Sequence, residues 1–342
     1  MKTTATTSAA STTTAAPSAT SADVTARSAA RDLGAERLNR AHWEAVARGE
    51  PTTWEELGAQ PEGVTVERMA HPSGLWLTPN ASRPGTSDQS SSGASASASG
   101  SDSDAVILAI HGGGFVGGSA TTHQRMFGHL AAASGIPVFA VEYGLVPDHT
   151  FPSQPDTVFE AYRELLASAA RRSRDQAQPA GERRIAIVGD SVGATLAIGL
   201  AARVRDDGLP MPAGLLLASA STDFEAMGGS YDTGSDPFFT REVVRALADG
   251  YLAGTDPRDP AAAPLFTDLR GFPPVYLQVG AEESLLDDSR MLAERLHSAG
   301  VQTRLDAYED QLHTFQMTAG RTRVADDAIA EGATWLRSIL NV

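Results

Sequence analysis

The chain has 342 residues, 42% of them hydrophobic, and its 27 basic and 42 acidic side chains give a formal net charge of −15. This length allows one large domain or two smaller ones. The acidic balance argues against nucleic acid or an anionic membrane surface as a partner, and no apolar run approaches the roughly 20 residues of a membrane helix. Because the sequence has no cysteine, disulfide scaffolds, thiolate metal sites and cysteine nucleophiles are excluded.

Two segments of low complexity stand out. Residues 1–28 are mostly Thr, Ala and Ser, and they hold no apolar stretch of the kind that a secretory signal needs. We therefore predict a disordered tail and a cytoplasmic location. The Ser-rich residues 82–104 are predicted to be a flexible surface loop within one domain that spans residues 29–342.

Eight short segments are predicted to be β-strands. The first two form a hairpin, the next five are nearly all-apolar runs typical of strands buried on both faces of a parallel sheet, and the last alternates. In chain order they span residues 64–69, 74–78, 106–110, 137–141, 185–188, 214–217, 275–279 and 303–308.

Helical segments alternate with these strands. Leu38, Ala41, Ala45 and Val46 mark the apolar face of a separate amphipathic helix near the front. The alternation predicts an α/β fold with a parallel sheet, in which functional sites form at the carboxyl ends of strands. The main predicted helices span residues 157–170, 192–205, 285–299 and 326–340.

A serine motif joins a buried strand to a helix. Residues 189–193 read Gly-Asp-Ser-Val-Gly, which is the Gly-x-Ser-x-Gly pattern of a strained turn that projects a serine hydroxyl. Glycine on each side avoids collision with the sheet and the helix. We predict Ser191 as a nucleophile and the N–H of Val192, at the helix N-terminus, as an oxyanion donor. The alternative is a turn in which Ser191 only caps the helix.

A glycine loop follows the strand at residues 106–110. The sequence His-Gly-Gly-Gly-Phe at 111–115 leaves backbone N–H groups free to face an anion. A phosphate-binding loop is disfavoured because no Gly-Lys-Ser/Thr follows, and a flexible turn remains the other alternative. We predict Gly113 and Gly114 as further oxyanion donors and His111 as a positioning residue rather than a base.

The candidate base is a histidine beyond the last strand. In α/β hydrolases the serine is followed along the chain by the acid and then by the histidine. Only two histidines follow Ser191. His297 lies within a predicted helix and is interpreted as part of its solvent-exposed face. His313 lies on the loop after the last strand. We predict His313 as the general base, with an ordinary surface-loop histidine as the alternative.

The candidate acid lies after the strand at residues 275–279, where the loop offers four carboxylates. Asp287 and Asp288 fall in the first turn of a helix, where the helix dipole alone would explain them. Glu282 and Glu283 lie nearer the strand end. We favour Glu283 as the acid, with Glu282 and Asp287 as alternatives.

Together these motifs resemble the hormone-sensitive lipase family of α/β hydrolases, in its bacterial esterase branch. The resemblance extends over residues 64–340 and includes the oxyanion motif at 111–115, the serine elbow at 189–194 and the Tyr-Gly-Leu-Val-Pro-Asp-His segment at 143–149. It implies an α/β-hydrolase fold with an eight-stranded, mostly parallel sheet. It also implies a carboxylesterase that acts on small short- to medium-chain esters or lactones through an acyl-enzyme on Ser191, with no metal or organic cofactor.

The sequence departs from the family pattern at several positions of these motifs. The family places its acid three residues after a strand-ending glycine, in Asp-Pro-Leu-x-Asp, and the matching position is Glu283 in Glu-Ser-Leu-Leu-Asp. Asp190, inside the elbow, and Asp287, at the end of the acid motif, are expected to support the site structurally. Val192 and Ala194 replace the smaller Ala and Gly of the family elbow, which is expected to narrow the acyl pocket.

Family members carry a helical cap, which here corresponds to residues 29–62 and 223–255, called the two cap segments below. Aromatic side chains in these segments are candidates for lining the substrate pocket, although each one also suits an ordinary core. They are Trp43, Phe224, Phe238, Phe239 and Tyr251.

The sequence leaves four finer alternatives. Ser-Leu-Leu-Asp-Asp at residues 284–288 and the motif at 312–316 resemble monoterpene ε-lactone hydrolases within the family. An amide or N-acetyl hydrolase would use the same residues. A non-catalytic hydrolase-like binding protein is disfavoured because such proteins lose the histidine that His313 supplies. Either a monomer or a homodimer is expected.

Overall fold

A computed structural model describes residues 24–27, 33–80, 103–175, 184–233 and 235–342 of the chain. The predicted tail at residues 1–28 lies outside these ranges except for residues 24–27. The predicted Ser-rich loop at 82–104 lies outside them except for its last two residues.

Nine strands in the described part of the chain form one sheet. They are β1 (Val24–Arg27), β2 (Val64–Ala70), β3 (Ser73–Pro79), β4 (Ala105–Ile110), β5 (Val138–Val141), β6 (Arg184–Asp190), β7 (Leu215–Ala218), β8 (Val275–Gly280) and β9 (Thr303–Tyr308). Their order in the sheet is β1-β9-β8-β7-β6-β4-β5-β3-β2. The pairs β2–β3 and β3–β5 are antiparallel and the others are parallel. The predicted α/β fold with a mostly parallel sheet is confirmed.

All eight predicted strands are present, and β1 is an additional one. It pairs in parallel with β9, from Val24 opposite Leu305 to Arg27 opposite Tyr308. The expectation of eight strands, and of a tail that runs unbroken to residue 28, is therefore corrected. A four-residue edge strand is added by backbone hydrogen bonds to its neighbour, and this leaves almost no pattern in the sequence.

Eight α-helices accompany the described strands. They are α1 (Leu33–Ala47), α2 (Gln124–Ser134), α3 (Ser153–Asp175), α4 (Val192–Asp206), α5 (Ser230–Thr233), α6 (Arg241–Leu252), α7 (Leu286–Ser298) and α8 (Arg323–Leu340). Helices α3, α4, α7 and α8 match the four main predicted helices. Helix α2 was not expected; it ends at Gly135, whose φ of 70° is the left-handed conformation of a helix C-terminus.

The two faces of the sheet carry separate apolar cores because alternate residues of each strand point to opposite sides. In β4, Val106 and Leu108 pack with residues of α3, α4 and α7, whereas Ile107 and Ala109 pack with residues of α2 and α8. All four side chains are fully buried. The all-apolar runs of the sequence are thus explained by burial on both faces.

The apolar face predicted for α1 is wrong at two of its four positions, since Ala45 and Val46 are half-buried and Val46 packs against the cluster that contains Trp43. Leu38 and Ala41 are exposed, whereas Asn39, His42 and Trp43 are buried. Polar side chains turn inward here because this helix lies against a polar site, where they find hydrogen-bond partners, and an apolar periodicity alone does not reveal such a face.

Candidate active site

Five neighbouring strands deliver polar groups to one edge of the sheet. In the order β9, β8, β7, β6 and β4, these strands lie side by side. Since all five are parallel, the segments that follow their carboxyl ends meet at the same edge. The residues delivered there are His313, Glu283, Ser219, Ser191 and His111.

The turn between β6 and α4 holds Ser191 in a strained backbone conformation, with φ of 52° and ψ of −121°. A Cβ atom at Gly193 would lie 2.1 Å from the carbonyl oxygen of Ile110, and one at Gly189 would lie 2.5 Å from that of Gly193. Only glycine fits at either position. The local packing therefore forces the serine outward at the apex of the turn.

The structure brings Ser191, His313 and Glu283 together. Nε2 of His313 lies 3.0 Å from Oγ of Ser191, and its Nδ1 lies 3.4 Å from Oε1 of Glu283. All three side chains are buried. The imidazole thus lies between the hydroxyl and the carboxylate and contacts both, which is the arrangement of a catalytic triad.

Glu283 is held by two further donors. The hydroxyl of Ser219 donates to its Oε2 at 2.7 Å, and the N–H of Gly280 donates to the same oxygen at 3.0 Å. Ser219 also accepts a hydrogen bond of 2.9 Å from the N–H of Thr314, next to His313. Sequence reasoning missed Ser219, although its position directly after β7 could have indicated it.

The two alternative acids lie elsewhere. Oε2 of Glu282 accepts from the hydroxyl of Ser235 at 3.2 Å in an exposed contact. The carboxylate of Asp287 accepts from the N–H of Ser230 at 2.9 Å and from Arg290 at 3.1 Å. Asp287 therefore contacts the second cap segment rather than the imidazole of His313.

The residues predicted to supply oxyanion donors lie close to Ser191. Gly113 and Gly114 line the same cavity as Ser191, and their φ values of 119° and 61° are in the range that favours glycine. Within the described residues, the N–H groups of Gly113, Gly114 and Val192 donate to no other group. Three free donors beside a serine hydroxyl can hold a developing negative charge.

Asp190 anchors the glycine loop. Its Oδ1 accepts from the N–H of Gly112 at 3.1 Å, and its Oδ2 lies 3.2 Å from Nε2 of His123. Asp190 and His123 are both buried. This places Asp190 where the sequence predicted a supporting residue, whereas His123, which lies at the start of the unexpected helix α2, was missed.

His111 is buried beneath the loop. Its Nδ1 donates to the carbonyl of Gly112 at 2.8 Å, and its ring stacks on Tyr143 with 4.1 Å between ring centroids. Burial and the neighbouring His123 lower the pKa of His111 to about 3. The ring is thus neutral at ordinary pH, as suits a group that shapes the loop and does not titrate.

The first cap segment contacts the backbone of His313 directly. Nε1 of Trp43 and Nδ2 of Asn39, both on α1, donate to the carbonyl oxygen of His313 at 2.9 Å and 3.1 Å. The ring of Trp43 also packs against the imidazole, with 5.4 Å between centroids. Helix α1 therefore fixes the position of the imidazole in addition to covering it.

Asn39→Ala is expected to lower kcat for ester hydrolysis by about fivefold, because removal of one buried hydrogen bond costs about 1 kcal/mol and loosens the imidazole. Since Asn39 does not line the cavity, KM should change little. Steady-state kinetics measure both. The matched control is Glu44→Ala on the same helix, which removes only a surface pairing with Arg48. Equal kcat values for the two variants would contradict a positioning role for Asn39.

A buried carboxyl, Asp288, ties the acid loop to the rest of the site. Its Oδ2 accepts from the N–H groups of Thr222 and Asp223 at 2.8 Å and 2.9 Å, and its Oδ1 contacts the hydroxyl of Tyr231 at 3.2 Å. Burial raises the pKa of Asp288 to about 7, although the two N–H donors oppose this.

Asp288→Asn is expected to flatten the pH dependence of stability. The pKa of Asp288 rises from 3.8 to about 7 on folding, so the folded state retains a proton that the unfolded chain has released. That stabilisation is complete below about pH 4 and is lost as the pH rises through 7. Relative to the parent protein, the variant should gain up to roughly 4 kcal/mol of unfolding free energy between pH 4 and pH 8. Urea unfolding at both pH values measures this, and parallel curves would refute it.

Aromatic side chains from both cap segments enclose the site. Trp43, Phe238 and Phe239 line a cavity of about 140 Å³ beside Ser191, together with Trp54, which sequence reasoning missed. Phe224 lines a smaller neighbouring cavity. Tyr251, in contrast, is buried against Phe115, with 3.8 Å between ring centroids, and it belongs to the core.

Among the described residues, no three His, Asp or Glu side chains are placed to hold a metal ion. None of the helices in those ranges has the length and apolar character needed to cross a bilayer.

The chain is similar to known proteins over most of its length. A family model described as the alpha/beta hydrolase fold matches residues 107–317. An acetyl-hydrolase of Streptomyces hygroscopicus is 35% identical over 215 residues, which are 61% of this chain and 67% of that protein. An esterase of Acinetobacter venetianus is 34% identical over 237 residues, 68% of this chain and 75% of that protein. A crystal structure of an esterase from the bacterial hormone-sensitive lipase family superposes with a TM-score of 0.75 at 31% identity and covers 91% of this chain and 100% of its own.

These comparisons agree with the motifs and with the sheet. They confirm the predicted α/β-hydrolase fold and the predicted class of enzyme, a hydrolase of the carboxylesterase type. The family model covers the strands that deliver the glycine loop, Ser191, Glu283 and His313. The chain belongs to the hormone-sensitive lipase family of α/β hydrolases.

Proposed function

We propose that the protein hydrolyses small carboxylic esters through a covalent acyl-enzyme on Ser191. The observation that carries the proposal is the contact of 3.0 Å between Nε2 of His313 and Oγ of Ser191, with Glu283 at the other ring nitrogen. A base within hydrogen-bond reach of a hydroxyl, itself oriented by a carboxylate, is the requirement for an activated serine.

In the acylation step, Nε2 of His313 takes the proton from Ser191 as Oγ attacks the ester carbonyl carbon. Glu283 accepts the hydrogen bond from Nδ1 and stabilises the imidazolium that forms. The carbonyl oxygen becomes an oxyanion, which the N–H groups of Gly113, Gly114 and Val192 bind. Each such donor is worth roughly 3 kcal/mol of barrier in comparable enzymes.

The leaving oxygen then takes the proton from His313, and the alcohol departs. In the deacylation step, the same imidazole removes a proton from water, and the hydroxide attacks the acyl carbonyl. The oxyanion again forms at the glycine loop. Collapse of this intermediate returns the proton to Ser191 and releases the carboxylic acid, so that every proton transfer uses one histidine.

Supporting groups keep this arrangement in place. Asp190 and His123 hold the glycine loop, His111 shapes it from below, and Asp287 holds the second cap segment to α7. These contacts suit a site whose donors must be fixed before the charge develops. Such preorganisation is expected of a catalytic site, so these contacts also argue against a non-catalytic binding protein.

The experiment that tests the proposal compares hydrolysis of an ester, a lactone and an anilide by the parent protein and by Ser191→Ala. We expect serine-dependent turnover, fastest with the ester. Dominant turnover of the lactone or anilide would assign the same site to lactone or amide hydrolysis. Ester turnover that does not depend on Ser191 would overturn the mechanism, and no turnover by the folded parent protein would overturn the function.

A further inference from the structure

Two cavities adjoin Ser191 and share a wall made by Gly114, Phe239 and Leu247. The larger has a volume of about 140 Å³ and is also lined by His313. The smaller has a volume of about 10 Å³, and His313 is not among its lining residues. The spaces available beside Ser191 to the two halves of a bound ester therefore differ greatly in size.

The position of His313 decides which half enters which cavity. The leaving alcohol oxygen has to receive its proton from Nε2 of His313, and this requires hydrogen-bond contact. The alcohol must therefore lie on the side of the larger cavity. Because the oxyanion lies at the glycine loop and the alcohol takes the larger cavity, the acyl chain occupies the smaller cavity, beside Val192. The reverse placement would separate the leaving oxygen from the imidazole.

From this geometry we propose that the protein is selective for acetate esters of bulky apolar alcohols. The inference rests on the proposed ester hydrolysis and narrows its substrate. A space of about 10 Å³ corresponds to roughly one water-sized group. The methyl group of an acetyl ester fits such a space, whereas the chain of a butyryl or hexanoyl ester does not.

The walls of the smaller cavity resist enlargement. Phe224 and Ala248 belong to the main core on one face of the sheet, and Val244 and Leu285 belong to the cluster formed with the cap segments. All four are at least 95% buried. Packed side chains of this kind cannot move apart for a longer acyl chain without loss of contacts on their far side.

Val192 contributes to the same restriction. Its side chain lines the smaller cavity next to Ser191, at the position where a narrower pocket is expected from the replacement of alanine in the family elbow. The larger cavity differs in character, since Trp43, Trp54 and Phe238 give it a mostly aromatic wall. Such a wall suits an apolar or aromatic alcohol.

The first test varies the acyl chain and the alcohol separately. With p-nitrophenyl esters, kcat/KM should be highest for acetate and fall at least about tenfold to hexanoate, because each methylene that a pocket rejects costs about tenfold or more. Among acetate esters, kcat/KM should be higher for those of bulky alcohols than for those of small alcohols. Serine-dependent turnover with hexanoate equal to or faster than acetate would overturn this selectivity while leaving the ester hydrolysis intact. Absence of serine-dependent turnover would instead overturn both.

The second test enlarges one cavity at a time. Val192→Ala keeps the backbone N–H and should raise the hexanoate-to-acetate ratio of kcat/KM by about tenfold. Val46→Ala, in the wall of the larger cavity only, should leave this ratio unchanged. Val244→Ala, in the wall of the smaller cavity only, should raise the ratio as Val192→Ala does and serves if the first variant fails to fold. A ratio that stays constant in every folded small-cavity variant, or that rises only in Val46→Ala, would overturn the assignment of the acyl chain.

Discussion

Ser191→Ala is expected to lower kcat for p-nitrophenyl acetate by about 10⁴- to 10⁶-fold, which is the scale observed when a serine hydrolase loses its nucleophile. The variant retains the free N–H groups of the glycine loop, so a small residual rate from oxyanion stabilisation remains. No acyl-enzyme can form. The measurement is steady-state hydrolysis together with mass spectrometry of the protein after a short exposure to substrate, in which only the parent protein should carry an added acetyl group.

The control for this variant is its stability. The hydroxyl of Ser191 contacts His313, and alanine keeps the same Cβ, so the melting temperature should remain within about 4 °C of the parent. A folded Ser191→Ala protein that retained more than about 1% of the parent kcat would show that another group performs the attack.

Glu283→Gln is expected to lower kcat by about 10⁴-fold, as the corresponding carboxylate-to-amide change does in a serine protease. Oε2 of Glu283 accepts from Ser219 and Gly280, so the amide oxygen of glutamine will occupy that position. Its NH₂ group then faces Nδ1 of His313 and forces this nitrogen to accept. The proton moves to Nε2, which can no longer take one from Ser191. The pH profile of kcat/KM measures the loss and its dependence on protonation.

The matched control is Glu282→Gln, one residue away on the same loop. Its carboxylate makes an exposed contact with Ser235, and an exposed polar change of this kind costs less than about threefold. Glu283→Asp gives a further comparison, because it keeps the charge but shortens the reach to an imidazole that already lies 3.4 Å away. Equal effects of Glu283→Gln and Glu282→Gln would refute the assignment of the acid.

The buried strands and the serine elbow could be predicted because their causes are local. An all-apolar run such as that of β4 indicates burial on both faces wherever the strand lies in the sheet. Gly189 and Gly193 are required by clashes with atoms of the adjoining turn and strand. Strand β1 escaped prediction because it depends on pairing with β9. Helix α2 was missed although Met126, Phe127, Leu130 and Ala131 form an apolar stripe at helical spacing, which the structure buries.

The sequence by itself determined the fold class, the order of the motifs and the identity of three residues that the structure brings together, namely Ser191, Glu283 and His313. Each lies on the segment that follows a strand, and parallel strands bring their carboxyl ends to one edge. Only the tertiary structure decided which side chains support them. Asn39 reaches His313 across 274 positions of the chain, and Ser219 lies against Glu283 because β7 and β8 are neighbours. The unequal cavities beside Ser191 likewise arise where distant elements pack. Contacts of this kind depend on the relative placement of elements, which no local pattern specifies.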